Sequence, residues 1–300
     1  MARRAANGCG RARRQTHRLA AALCLSLIVA WAGLARPAAA QARTAPPPRI
    51  VTLAPSATEL VYAAGAGADI VGTVLRSDYP ASALAIPRIG DGIQFSEEAI
   101  LALRPTLVVG WQPSDASRAL AQRLAPLGVP LVYANPKSLD EIPALIRDLG
   151  ARLDTRAAAD QAARGLTQRI RALRPASLPP QTIFIEISAD PLYTLGRDPL
   201  TNDLLQRCGG LNPYAGRAVA APQVSVESVL ALNPNVLIMS PYGGETLTAR
   251  RAWWAQHGLT AARTGRIYAI DPDLLHRPGP RLVDAAEAIC ADLRHSRGLP

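Results

Sequence analysis

Through residues 49–154 short apolar runs alternate with amphipathic stretches, the pattern of strands and helices taking turns. "IVTLAPS" predicts an apolar strand ending in a turn. "ATELVYAAGAG" predicts a short helix with Thr58 and Glu59 near its start and glycine at its close. "IVGTVL" reads as a second strand and "IPRIG" as a third, short one. Ser96 is placed to cap a short helix with acids in its first turn, which must end before Pro105. "TLVVGW" is a buried strand, "SDASRALAQRLAPLG" an amphipathic helix and "VPLVYA" the next strand. "SLDEIPALIRDLGARLD" is helical again, with an irregularity expected at Pro143.

Residues 155–174 break the alternation. "TRAAADQAARGLTQRIRALR" is a long Ala- and Arg-rich helical pattern, closed by Pro175, Pro179 and Pro180. The alternation then resumes with "TIFIEI", "DLLQRCGG", "AWWAQHG", "RIYAIDP" and a final helix through Ile289, leaving His295 in a fraying tail. One stretch is written twice: "SEEAILALRPTLVVGW" from Ser96 and "SVESVLALNPNVLIMS" from Ser225 run in register, Glu227 standing 129 positions after Glu98. Strands alternating with helices argue a mainly parallel sheet covered on both faces. The fold class is therefore α/β, as two related lobes joined by one long helix, with a ligand site in the crevice between them. The expected boundaries are a signal segment at 1–40, a proline-rich leader at 41–48, lobes at 49–154 and 175–300, and the connecting helix at 155–174.

Charge says little about function once the N-terminus is set aside. Six arginines from Arg3 to Arg18 precede the apolar run "LAAALCLSLIVAWAGLA", and "RPAAAQA" follows with small residues at a signal-peptidase spacing near Ala40 or Ala42. A membrane anchor is the competing reading, the run being about as long as a short span. Residues 1–40 hold seven arginines and no acid, so the formal charge falls from +10 to +3 without them, and the basicity gives no argument for nucleic acid. The same cut removes Cys9 and Cys24 and leaves Cys208 and Cys290, an even pair expected to form a disulfide in an exported chain, or else two buried thiols.

Enzyme signatures are missing: there is no GxSxG elbow, P-loop or HExxH, and His257, His276 and His295 are scattered. A secreted two-lobed α/β hydrolase without these motifs is the reading of a different class. The remaining informative residues sit where strands hand over to loops. They are Tyr79 in "RSDYPASA", Trp111 in "VVGWQPSDA", Tyr193 in "DPLYTLGRDPL", and Asp273, His276 and Arg277 in "DPDLLHRPGPRL". Flat apolar faces with a few polar handles suit a large, partly conjugated ligand. Each has a plainer role: Tyr79 ordering its turn, Trp111 plugging a strand end, Arg277 clasping Asp273 within the loop. Trp253 and Trp254 are assigned to packing, and His276 is either a polar contact or a ligand for haem iron or cobalt.

The motifs "RIVTLAPSATELVYAAG", "SDYP", "ILALRPTLVVGW", "LGVPLVY", "LLQRCGGLNPY", "PQVSVESVLALNP" and "RPGPRL" together resemble the helical-backbone class of periplasmic substrate-binding proteins, and within it the cobalamin binders. That class serves ABC importers of cobalamin, haem and iron–siderophores. The resemblance implies an exported, monomeric, non-enzymatic carrier in the periplasm. It has no cofactor or resident metal of its own and carries cobalamin as its transported ligand to a dimeric inner-membrane permease. Haem and iron–siderophores are the alternatives. It implies a ligand held flat between lobes by Pro55, Tyr79, Trp111, Tyr193, Asp273 and Arg277, beside the separate candidate His276, and a Cys208–Cys290 disulfide. It further implies one permease-docking glutamate per lobe, Glu98 and Glu227. The chain departs from the cobalamin binders at two aromatic positions, with "GDGIQ" before the first repeat and Ala221 before "PQVS".

Overall fold

The computed structural model describes residues 47–173, 178–240 and 246–299. The expected signal segment, almost all of the leader and Arg174 lie outside the described residues. The first lobe is a parallel sheet of β1 (Ile50–Thr52), β2 (Ile70–Gly72), β3 (Leu107–Gly110) and β4 (Leu131–Tyr133), in the order β2-β1-β3-β4. Its helices are α1 (Pro55–Ala63), α2 (Glu97–Ala102), α3 (Asp115–Leu124) and α4 (Glu141–Arg152). A single long helix, α5 (Arg156–Ala172), leads into the second lobe. There β5 (Gln181–Ala189), β6 (Leu192–Thr194), β8 (Val236–Met239) and β9 (Ile267–Ala269) run in the order β6-β5-β8-β9, and β7 (Gly210–Leu211) pairs with β5. Among the strand pairs of the described residues here, only β5–β6 is antiparallel. The helices of this lobe are α6 (Pro199–Arg207), α7 (Val226–Leu232), α8 (Leu247–Gln256), α9 (Thr260–Arg263), α10 (Pro272–Leu275) and α11 (Leu282–His295).

Strand residues alternate between two cores, as a period of two demands. In the first lobe Val51 and Val108 face a private core with Ile100, Leu120 and Leu124. Ile50, Leu107 and Val109 face the opposite way. In the second lobe Phe184, Leu237 and Met239 pack on Trp254, while Ile183, Val236 and Ile238 turn to the other side. These opposite faces meet in one continuous core. It runs through α4 (Ile142, Ile146), the α5 stripe Ala159, Ala163, Leu166 and Ile170, and on to Leu204 and Ile289. The two lobes are thus tied by shared burial, which at about 25 cal/mol per Å² of apolar surface is costly to separate. Cys208 at the end of α6 is bonded to Cys290 in α11, 82 residues away, across this core.

Three local expectations need correction. "IPRIG" is no strand: Thr73 and Arg88 form an isolated parallel bridge and Gly90 an antiparallel one to Phe95. Pro87, without an N–H, accepts from Thr73 and donates nothing, so the ladder cannot extend back beyond it. Pro143 causes no irregularity, because it falls in the first turn of α4, where the backbone N–H has no helical partner to lose. The last helix continues past Ile289, and His295 is its final residue. Ser96 does cap α2, its hydroxyl accepting from Ala99 N.

Candidate functional site

The carboxyl ends of the strands face a cavity of about 320 Å³ between the lobes. From the first lobe Trp111, one residue beyond β3, contributes its indole, with Gln112, Asn135 and Lys137 beside it. From the second come Ile187, Leu195, Arg197, Asp198, Leu275 and His276. Trp111 is 41% exposed, a large apolar face left open to the cavity. Gly110 ends β3 against Tyr133, whose ring a Cβ at this position would approach to 3.2 Å. Trp111 and Gln112 also border a smaller pocket of about 220 Å³ in the first lobe, with Leu53, Ala54, Ile93, Phe95, Ser114 and Ser117. Ile93, in the "GDGIQ" turn, is 81% exposed at its rim.

His276 lines the cavity but is mostly buried. Desolvation pushes its imidazole below the ordinary value, against the opposing pull of the Ser240 backbone and the charges of Asp198 and Asp273. Its Nε2 is fully enclosed and does not open toward a ligand's metal. No group of His, Cys, Asp or Glu among the described residues is arranged to hold a metal ion.

Asp273, Arg277 and Tyr79 gather elsewhere, in an ion cluster that joins the lobes. Arg277 does clasp Asp273, at 2.8 Å, but its guanidinium also donates to Asp78 at 2.7 Å and lies 3.4 Å from Glu59, both in the first lobe. Arg281 donates to Glu59 at 2.6 and 3.0 Å, and Arg76 to Asp273 at 2.7 Å. Three arginines face three carboxylates, so the cluster is neutral and its buried members are compensated. The hydrogen bond from Arg277 holds Asp78 below the usual carboxylate range. Burial opposes the charge on Arg277, and the bond to Asp78 with the surrounding carboxylates overcomes it, holding its pKa above the ordinary value. Tyr79 lies under this cluster with the Arg281 guanidinium 4.2 Å from its ring centre. It faces a third cavity, of about 460 Å³, shared with Tyr62, Leu166 of α5 and Arg281.

Of the ligand residues expected from the sequence, the structure brings Trp111 and His276 to one cavity and Tyr79 to another. Pro55 opens α1, next to Ala54 in the smaller pocket, and Tyr193 is half-buried on β6 in a backbone bridge to Gln223. Glu98 and Glu227 are both exposed, one residue into capped helices on the two lobes. Sequence reasoning missed Lys137 and Arg197, which sit in unremarkable loops. It also read Glu59 only as an acid near a helix start, although its side chain is 2% exposed in a helix buried from Ser56 to Val61.

Two α/β lobes on one long helix, with an open aromatic wall in the crevice between them, are the architecture of a solute-binding protein. Residues 50–274 match the model of the family described as periplasmic binding protein, and the chain belongs to that family. It is 36% identical over 255 residues to the vitamin B12-binding protein of Vibrio cholerae serotype O1, covering 84% of this chain and 91% of that protein. Among solved structures it resembles the periplasmic vitamin B12-binding protein BtuF of Vibrio cholerae, with a TM-score of 0.75, 35% identity, and 84% and 99% of the two chains covered. It also resembles the apo form of the periplasmic haem-binding protein RhuT from Roseiflexus sp. RS-1, with a TM-score of 0.71, 28% identity, and 84% and 99% covered.

Proposed function

We propose that this protein captures cobalamin in the periplasm and delivers it to an inner-membrane ABC permease, making and breaking no bond. The observation that carries this reading is the inter-lobe cavity, walled by the open face of Trp111 and by apolar residues of both lobes, in a chain related to vitamin B12-binding proteins. A corrin ring lies flat against such a wall, and its peripheral amides find Gln112 and Asn135. The shared core and the ion cluster keep the lobes at a fixed spacing, so the cavity is pre-organised and little ordering cost is charged against affinity.

Glu98 and Glu227 serve as the two docking points for the permease. Both are exposed, and among the described residues neither carboxylate has an ion-pair partner. Hydrogen bonds from its own backbone N–H and from Ser225 hold Glu227 below the usual carboxylate range, so it meets a partner ionised. One acid on each of two related lobes matches a receptor with twofold symmetry.

Calorimetric titration with cyanocobalamin and with haem, followed in parallel by absorbance, tests the ligand. Saturable heat from cobalamin with no haem Soret shift is the expected result. A Soret shift that disappears in His276→Ala or Tyr79→Phe, without cobalamin binding, would replace cobalamin by haem. Binding of neither ligand together with ester or phosphate hydrolysis would overturn the carrier reading.

A further inference from the structure

Of the 33 Lys and Arg residues in the chain, 32 are arginines and Lys137 is the one lysine. It follows β4 and lines the 320 Å³ cavity from the first lobe. Arg197, in the loop between β6 and α6, lines the same cavity from the second. Arg169, Arg207, Arg250, Arg277 and Arg281 are all committed to carboxylates. Lys137 and Arg197 are not: among the described residues neither side chain has an ion-pair partner. The one carboxylate in the lining, Asp198, is fully occupied as the cap of α6. Its Oδ1 accepts from the N–H groups of Leu200 and Thr201, and its Oδ2 accepts from the Thr201 hydroxyl. Two uncommitted, exposed cations therefore line one cavity, one from each lobe.

Such a pair selects for an anion. A guanidinium presents a fork that matches phosphate oxygens, and an ammonium on a flexible stem follows as a mobile point charge. Resting on the reading of the ligand as a corrinoid, we propose that Lys137 and Arg197 clamp the phosphodiester of the ligand's nucleotide tail. The macrocycle itself carries neutral amides at its rim, so this single anion is what the two cations can read. The clamp makes the protein prefer complete corrinoids over those without the tail. The propionates of haem offer the same anionic chemistry from a different source, and the test separates the two.

The experiment measures the affinity of the purified protein and of Lys137→Gln, Arg197→Gln and the double variant for cyanocobalamin, for dicyanocobinamide, which lacks the nucleotide tail, and for haem. Each single substitution is expected to weaken cyanocobalamin about tenfold, the scale of one charge-assisted contact, and to leave dicyanocobinamide unchanged. Added salt should weaken cyanocobalamin in the unmutated protein and much less in the double variant. Because Lys137 is the one lysine, amine acylation followed by mass spectrometry gives a readout that needs no variant. Bound cyanocobalamin should protect Lys137 and bound dicyanocobinamide should not. Equal losses on both corrinoids, no loss on either, or a loss confined to haem would each overturn the clamp. Failure of the unmutated protein to bind any corrinoid would instead strike the ligand assignment on which the clamp rests.

Discussion

The two copies of the helix–strand unit agree further in structure than in sequence, and then part abruptly. From Leu101 to Gly110 and from Leu230 to Met239 the succession of buried, half-buried and exposed positions is identical. Ser96 and Ser225 cap the two helices through the N–H groups of Ala99 and Ser228. Both units turn into their strands through a residue with φ of 45°, Arg104 in one and Asn233 in the other. The next position separates them: Trp111 is 41% exposed at the inter-lobe cavity, whereas Ser240 is completely buried. The same local sentence thus builds the same local unit. Function enters where the strand ends, at the position the repeat does not govern. The lobes differ again in their stability, the second carrying both the stabilising disulfide and an acid that burial raises, Asp292.

If the repeated glutamates are equivalent docking points, the double variant Glu98→Arg and Glu227→Arg should lower cobalamin uptake by more than about tenfold while leaving ligand affinity intact. Transport in cells lacking the native gene, set beside calorimetry, checks this. Unchanged uptake, or weakened ligand binding, would remove the equivalence.

The disulfide makes the second lobe the more firmly closed. Replacing Cys208 and Cys290 by serine opens an 82-residue loop in the unfolded chain. The cost should be about 3–5 kcal/mol by the chain-entropy account, read in urea denaturation. Cooperative loss of both lobes in one transition would fit their shared core, and a separate early transition of the second lobe would show that the staple acts locally.

Asp292 supplies a pH dependence with a definite sign. Burial raises its carboxyl to about 6, with the charge of His295 pulling weakly the other way. The folded pKa lies above the unfolded one, so the group costs nothing below pH 4 and costs stability as pH rises through 6. Asp292→Asn should therefore stabilise the protein at pH 8 by about 1 kcal/mol, a figure reduced for its partial solvent contact, and leave it unchanged at pH 4. Thermal melts across that range give the test.

The smallest effect concerns the turn the two units share. Asparagine tolerates a left-handed backbone better than arginine does, so Arg104→Asn should raise stability by about 0.5–1 kcal/mol. The reverse change, Asn233→Arg, should lower it by a similar amount. Unequal effects would mean that the two turns are less alike than their angles.

Much of this was legible in the chain. Apolar spacing located the strands and most helices, and the repeat announced two related lobes. Trp111 and His276 stood out as chemistry at strand ends. These are local properties: a period of two or 3.6, a cap or a turn residue is set by neighbours a few positions away. The sequence also picked out Asp273, Arg277 and Tyr79, and the clasp it suggested between Arg277 and Asp273 is one contact of a larger cluster.

What only the tertiary structure decided is pairing over distance. Glu59 meets Arg277 and Arg281 across 218 and 222 positions, turning a first-turn acid into the buried centre of a junction between lobes. Lys137 and Arg197 are ordinary loop cations until the fold turns both toward one cavity without a carboxylate to spare. Which charge is spent on another and which remains for a ligand depends on where the backbone brings them. Coulomb attraction and desolvation act through space, and the order of residues along the chain records neither.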